Sequence, residues 1–431
     1  DLPKDSGCFD LPIALGILGA SEQLDVAALA RYEFAGELSL SGDLRAVRGS
    51  LAMCLALQQT PKPCGLVLPL ASAHEAAWVP EARVYSAAHL QDVVAHLQDP
   101  PVVTEGWRVV EANVQPTPIG MADFEDVKGH AMARRVFEIA AAGHHSVLMV
   151  GPPGSGKSML AARFAGLLPP MTHDESLSSA SVTSLCGSFD SAQFGQRPTC
   201  APHHTASAAA LVGGGVPPQP GEISLAHHGV LFLDEFPEFS RRALEALREP
   251  LETGEIRISR ARYQVTYPAR FQLIAAMNPC PCGYLGHPTQ LCTDTPTQVA
   301  RYQGRLSGPL LDRIDLHVSV QSVPYLSLMQ AQRGESTAVV RTRVAAAFER
   351  AIERQGSHNA SLAGERLTQH ATLDDAGTQF LQGIAARLNW SARRLHRVLR
   401  VARTIADLGD SAGIMPAHLG EAVQYQRVLQ A

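Results

Sequence analysis

The sequence predicts an α/β fold: a parallel sheet preceded by a smaller α+β domain and followed by a helical C-terminal bundle. Three observations predict it. From Asp123 to about Val320, apolar runs of strand length recur among helical stretches and long loops, the pattern of a buried parallel sheet. One such run, Ser146–Val150, leads into a Gly-rich loop, and that loop into a helical stretch, Met159–Leu168. Beyond Pro324 strand signals nearly vanish and helix-period apolar positions take over.

Composition narrows the class. A chain of 431 residues with 45% hydrophobic content has the length for two to three domains with ordinary packed cores. Its 35 Gly and 29 Pro sit near average usage, so collagen-like and low-complexity readings fail. The longest apolar runs are too short to cross a bilayer, and no charged segment precedes a hydrophobic stretch at the start. A cytoplasmic protein with no membrane partner is expected, and the opening Asp1 suggests that further residues precede it. A net charge of −5 excludes a globally basic DNA-coating protein but leaves room for a local basic channel. The 8 Cys are too few for a disulfide scaffold at this length.

In chain order, residues 1–105 alternate short apolar runs with Ala/Leu-rich helical stretches, and residues 106–122, punctuated by Pro116, Pro118 and Gly120, read as a linker. Residues 123–322 form the expected α/β core. Its strongest signal is Gly151, Pro152, Pro153, Gly154, Ser155, Gly156, Lys157 and Ser158, a G-x-x-x-x-G-K-S loop between strand and helix. Glycines there let backbone N–H groups turn towards phosphate oxygens, and the helix N-terminus adds a favourable dipole. Lys157 is expected to reach the β/γ-phosphates of ATP, and Ser158 to ligate Mg²⁺. The next apolar strand ends in Asp234 and Glu235. At the C-terminal edge of a parallel sheet, Asp234 is placed to hold Mg²⁺, and Glu235 to orient and deprotonate the attacking water. A third strand, Phe271–Met277, ends in Asn278, a candidate for sensing the γ-phosphate or capping the turn into Pro279.

Arg313 precedes another apolar strand and is a candidate arginine finger for a neighbouring subunit. The bland alternative pairs it with Asp312 or Asp315. Residues 323–431 form the helical lid, in which Arg393 opens an Arg-rich helix and is a candidate for reaching the γ-phosphate. The rest of that Arg run reads as an exposed basic face.

Together, the Gly-rich loop, the Asp-Glu strand, the Asn-ended strand, Leu310-Leu-Asp-Arg313 and the Arg-bearing lid resemble an AAA+ ATPase. Longer strings, Asp126–Gly129, Ala201–Thr205, Ala210–Gly215, Gly221–His227 and Arg305–Pro309, resemble the magnesium-chelatase-like group and, within it, the ComM (YifB) family. The resemblance covers nearly the whole chain. It implies a homo-hexameric ring that hydrolyses ATP, binds single-stranded or branched DNA in its pore, and drives branch migration in natural transformation and homologous recombination. Val127 and Met159 then join the nucleotide-contacting set.

The group carries two hairpin insertions, and Ala209–Gly229 and Thr253–Tyr267 are the candidates. Arg257, Arg260 and Arg262 are expected on or near the second, with Arg260 and Arg262 on one strand face gripping DNA phosphates. Where relatives with a cysteine cluster read C-P-C-G…C-x-C, this chain has Cys280, Cys282, Cys292 and, at the fourth place, Asp294. Three thiolates and a carboxylate suit tetrahedral Zn²⁺, with His287 as another candidate ligand; the alternative is a loop that holds no metal. His203-His204 are candidates for contacting nucleotide or DNA.

Residues 1–105 resemble part of a Lon-protease-type domain, through Pro3-Lys-Asp5 and Gly36–Gly42. Cys8 falls near the nucleophile position, but Ser50 stands where the base lysine belongs, so a non-catalytic module is expected. A protein-remodelling ATPase of the chelatase type is the alternative function, with an ATP-dependent protease behind it.

Overall fold

The computed structural model describes residues 7–112, 120, 122–260, 263–323 and 332–426, with the backbone alone at Arg260 and Tyr263. Near the start, β1 (Tyr32–Phe34), β2 (Gly65–Pro69) and β3 (Val84–Ala87) lie parallel, and β4 (Arg108–Val109) adds an antiparallel edge. The stretch expected as a linker from 106 therefore begins inside this sheet. Alternation along β2 sends Val67 to one face, with Leu11 and Leu15 of α1 (Asp10–Ala20), and Leu66 and Leu68 to the other. On that second face lies α2 (Ser50–Gln58), with Leu51 and Cys54.

The main sheet has five strands, β5 (Val147–Val150), β6 (Thr199–Cys200), β7 (Val230–Leu233), β10 (Gln272–Met277) and β11 (Leu316–Ser319), all parallel, in the order β11-β5-β10-β7-β6. Every residue of β5 and β10 is buried. Their side chains divide with period two: Val147, Met149, Ile274 and Ala276 enter one core, while Leu148, Val150, Leu273, Ala275 and Met277 enter the other. Such a sheet needs cover on both faces, which explains why the strands read as unbroken apolar runs. Helix α3 (Ala131–Gly143) lies in the first core, and α4 (Lys157–Phe164) leaves the loop after β5. Through Leu177 and Ala180, α5 (His173–Cys186) joins the core of α2, so the N-terminal unit is packed onto this sheet's own helices.

An antiparallel hairpin of β8 (Glu255–Arg260) and β9 (Tyr263–Pro268) leaves the core between β7 and β10. The lid holds α6 (Thr337–Gln355), α7 (Asp375–Leu388), α8 (Ala392–Leu408) and α9 (Pro416–Gln424). Val398, Val401, Ile405 and Leu419 share the first core with Val136 and Phe137 of α3. Each such side chain, removed from water, contributes about 1.5–3 kcal/mol.

Polar contacts fix the lid's seating. The expected exposed basic face of α8 is only partly so: Arg393 is exposed, but Arg397 and Arg403 are buried. Arg397 donates to Leu311 O (3.1 Å), Ile314 O (2.7 Å) and Asp312 Oδ1 (3.2 Å), and Arg403 to Asp407 Oδ1 (3.0 Å). Buried Asp315 bonds His145 and pairs with Arg400. Burial by itself raises its pKa, yet Arg400 and His145 outweigh that and hold it at about 2.

His317 on β11 is buried, and neither ring nitrogen has a hydrogen-bond partner among the described residues. Burial, reinforced by Arg397 and Arg394 and opposed by Asp315, lowers its pKa to about 3. The folded state thus disfavours the protonated ring, while the unfolded chain accepts the proton near pH 6.5. His317's contribution is complete above about pH 6.5 and declines as pH falls towards 3. Tm should therefore drop with acidification, and less steeply in His317→Leu; equal slopes in the two proteins would remove His317 from this role.

Candidate nucleotide site

The site is assembled where β5, β10 and β7 end side by side. A Cβ at Gly151 would stand 2.0 Å from Val320 O, and Gly154 and Gly156 adopt φ of +71° and +86°, so glycine is needed at all three. Lys157, the first residue of α4, is buried, and its Nζ donates to Gly151 O (2.8 Å), Pro152 O (2.9 Å) and Asn278 Oδ1 (3.2 Å). Burial lowers its pKa, against the opposing charge of Asp234. Ser155 Oγ is buried with no hydrogen-bond partner among the described residues, as suits a loop shaped to receive an external acceptor such as a phosphate oxygen. Pro153 is exposed at the loop's rim, Met159 packs on the core, and Val127 is fully buried within it.

Opposite the loop, Ser158 Oγ donates to Asp234 Oδ2 at 2.7 Å. A hydroxyl beside a carboxylate is a hard-oxygen donor set that fits Mg²⁺. Glu235 has φ +49°, ψ +44°, a left-handed conformation costly for a residue with a Cβ, and its N–H donates to Asp234 Oδ1 at 2.9 Å. The two acids are therefore splayed by the backbone: Asp234 faces Ser158, and Glu235 faces away.

What Glu235 faces is His204, with Nδ1 2.8 Å from Oε2. The sequence singled out the pair His203-His204 without this partner. Parallel pairing of β6 with β7 (Val230↔Thr199, Leu231↔Cys200) carries the loop after β6 alongside the end of β7. His203 instead bonds Thr205 Oγ1 at 2.9 Å.

Arg313 has neither sequence-proposed partner. Asp312 pairs with Arg397 and Asp315 with Arg400, while Arg313 pairs with Glu252 and donates to Pro309 O at 2.8 Å. Bonding to Arg313 pulls the Glu252 carboxyl below its usual range, and the charge of Arg393 adds to this. Arg313 alone of the two candidate arginines is paired with Glu252, and Arg393 is not brought to Lys157 among the described contacts.

On the hairpin, Ile256, Ile258 and Tyr267 point into the second core, leaving Arg257 exposed near Glu255 (3.7 Å). Arg260 ends β8 opposite Tyr263, and the expectation that Arg260 and Arg262 share a strand face falls on Ala261 and Arg262, which lie outside the described residues. The earlier insertion forms a short pairing of Gly213–Gly214 with Gln219–Pro220, and Tyr267 Oη donates to Pro218 O at 2.8 Å, joining the two.

Cys280, Cys282, Cys292 and Asp294 converge, with ligand atoms all within 4.8 Å of one another. His287 is outside that cluster; its Nδ1 accepts from Gln290 N at 3.1 Å. In the N-terminal unit, Ser50 is buried and donates to Glu75 Oε2 at 2.5 Å, with no lysine beside it among the described residues. Pro3-Lys-Asp5 lies outside the described residues. No described helix is long and apolar enough to cross a membrane.

Residues 123–328 match the family described as magnesium chelatase, subunit ChlI; residues 334–426 match its C-terminal family, and residues 1–71 a family described as subunit ChlI of Mg-chelatase. Competence protein ComM of Haemophilus influenzae is 47% identical over 100% of this chain and 84% of its own length. A YifB protein of Salmonella typhimurium, called uncharacterized, is 45% identical over 99% of this chain and 83% of its own. An uncharacterized Mycobacterium tuberculosis protein, Rv2897c, is 41% identical over 94% and 81%. With this likeness along the full chain and a five-stranded parallel sheet beneath a helical region, the chain belongs to the magnesium-chelatase-like AAA+ family that includes competence protein ComM and the YifB proteins.

Proposed function

We propose that the protein is an ATP-driven DNA translocase and helicase, working as a homo-hexameric ring that promotes branch migration during natural transformation and homologous recombination. The observation that carries this reading is the pairing of Lys157 with Asn278 and of Ser158 with Asp234 where the loop after β5 meets the ends of β10 and β7, with Glu235 next in the chain. Membership of the family implies use of ATP and Mg²⁺, and the similarity to a competence protein supports the link to DNA uptake.

In this reading the loop Gly151–Ser158 cradles the phosphates and Lys157 meets the β- and γ-groups. Ser158 and Asp234 would hold Mg²⁺, which supplies charge neutralisation when bound. Glu235 takes the proton of the attacking water. Asn278, already on Lys157 Nζ at 3.2 Å, follows the γ-phosphate through that contact. Arg313, held at Glu252, serves the neighbour's nucleotide in the ring, and Arg393 acts from the lid, reaching the γ-phosphate as the lid closes. Residues 1–105, with the edge strand β4 that follows them, form a non-catalytic module, 123–322 the motor and 323–431 the lid. Ser50, in the place of the base lysine, bonds Glu75 Oε2, which supports the reading of this unit as non-catalytic.

DNA stimulation of ATPase activity tests the reading. Single-stranded or forked DNA should raise turnover, and Arg260→Ala/Arg262→Ala should abolish the stimulation while leaving basal turnover intact. If both arginines meet phosphates, the double variant should also flatten the log–log salt dependence of binding by about 0.7 per contact. Turnover indifferent to every DNA would favour a remodelling ATPase acting on a protein, the reading that the chelatase-subunit families support.

A further inference from the structure

We propose that Cys280, Cys282, Cys292 and Asp294 bind one structural Zn²⁺, which braces the loop carrying Asn278. The three sulfurs form a nearly equilateral triangle, with Cys280–Cys282 at 3.4 Å, Cys282–Cys292 at 3.5 Å and Cys280–Cys292 at 3.6 Å. A tetrahedron with Zn–S bonds of about 2.3 Å has S–S edges of about 3.8 Å, so a slight expansion admits the ion. A disulfide requires about 2.05 Å, and three sulfurs cannot all pair. Asp294 Oδ2 stands 3.9 Å from Cys292 Sγ, and a carboxylate oxygen of Asp294 lies within 4.8 Å of each of the three sulfurs, so that it can complete a three-sulfur, one-oxygen set.

The surroundings hold these ligands in place. Leu285 N–H donates to Cys280 Sγ at 3.3 Å, and Cys282 N–H donates to Asp294 Oδ2 at 2.8 Å. Bonds of this kind orient metal ligands. Gly283 turns the chain at φ +86° between the first two cysteines and the rest of the loop.

Such an anchor answers a structural need. Residues 279–295 contain neither helix nor strand, and within them only Cys280 and Gly283 are buried. Leu285 and Leu291 are exposed, so the loop has almost no apolar core of its own. A loop of that length in a compact fold needs another source of order, and metal coordination supplies it.

The loop also touches the nucleotide site. Cys280 follows Asn278 by two residues, and a Cβ at Gly283 would stand 2.5 Å from Pro153 Cδ and 3.8 Å from Asn278 Cγ. Gln303 Nε2 donates to Pro279 O at 2.8 Å, linking the loop to the helix that follows. The metal would thus fix Asn278 against Lys157. This positional role rests on the nucleotide-site reading; the metal itself does not.

The test is the metal content of the full chain, purified without chelator and measured by plasma mass spectrometry. About one zinc per chain is expected, falling to below about a tenth in Cys280→Ser and Cys292→Ser and retained in Asp294→Cys. Asp294→Cys keeps the test decisive if the serine variants fold poorly. Replacement by Co²⁺ should give the intense near-ultraviolet thiolate charge-transfer band and tetrahedral visible bands. A wild-type chain below about a tenth of a zinc even after dialysis against Zn²⁺ overturns the proposal, as does full zinc content in Cys292→Ser. Unchanged kcat in zinc-depleted, folded protein would remove only the link to Asn278.

Discussion

Glu235→Gln is expected to bind ATP as the parent does and to lower turnover by about 10²–10⁴-fold, the usual contribution of a positioned general base. The substitution keeps size and polarity but takes away the ability to accept a proton from water. It also preserves the local architecture: the main-chain N–H of residue 235 still reaches Asp234 Oδ1, now 2.9 Å away, and a carboxamide oxygen still accepts from His204. The pair Ser158–Asp234 does not involve the altered side chain, so Mg²⁺ and nucleotide affinity should be spared. Steady-state ATPase rates set beside equilibrium binding of a fluorescent nucleotide separate the two effects. Turnover within a few-fold of the parent would remove Glu235 from the base role.

The contrast between Glu235 and its partner shows which kind of information a sequence carries. The loop before α4, the acids after β7 and Asn278 after β10 were legible because each is a local string in a fixed context of strand and turn. The partners of those groups were not. His204 reaches Glu235 only because β6 lies parallel to β7, and no spacing along the chain encodes that pairing. Glu252 reaches Arg313 across 61 residues, while the nearer Asp312 and Asp315 are engaged by lid arginines. The two-residue strand β4 is too short to show a period.

The Arg-rich helix illustrates a different failure. A run of arginines reads as solvated in the sequence, yet Arg397, Arg400 and Arg403 recur at helical spacing beside Val398, Val401 and Ile405, at the border of the apolar stripe. Such positions are drawn into an interface when the facing surface offers carbonyls and carboxylates, as Leu311, Ile314 and Asp312 do for Arg397. The seating of the lid is thus written in the same residues as its apparent surface charge.

Arg313→Ala should lower turnover by about 10³-fold while leaving ATP affinity of the separate subunit unchanged, the signature of a group that stabilises transition-state charge from a neighbour. Its present partner does not oppose this. The Glu252 side chain is 60% exposed against 16% for Arg313, so the carboxylate lies at the solvent edge, where a neighbour's phosphate can compete with it for the guanidinium. Mixing distinguishes action across the boundary from action within one chain. An Arg313→Ala subunit keeps its own Glu235, and a Glu235→Gln subunit keeps its own Arg313. Placed side by side in a ring, the second supplies the arginine that the first needs, and part of the lost turnover should return at intermediate ratios. Recovery at no ratio, in mixtures shown to co-assemble, would place Arg313 on its own chain's nucleotide or outside the chemistry, since two inactive subunits that complete each other's sites cannot remain inert.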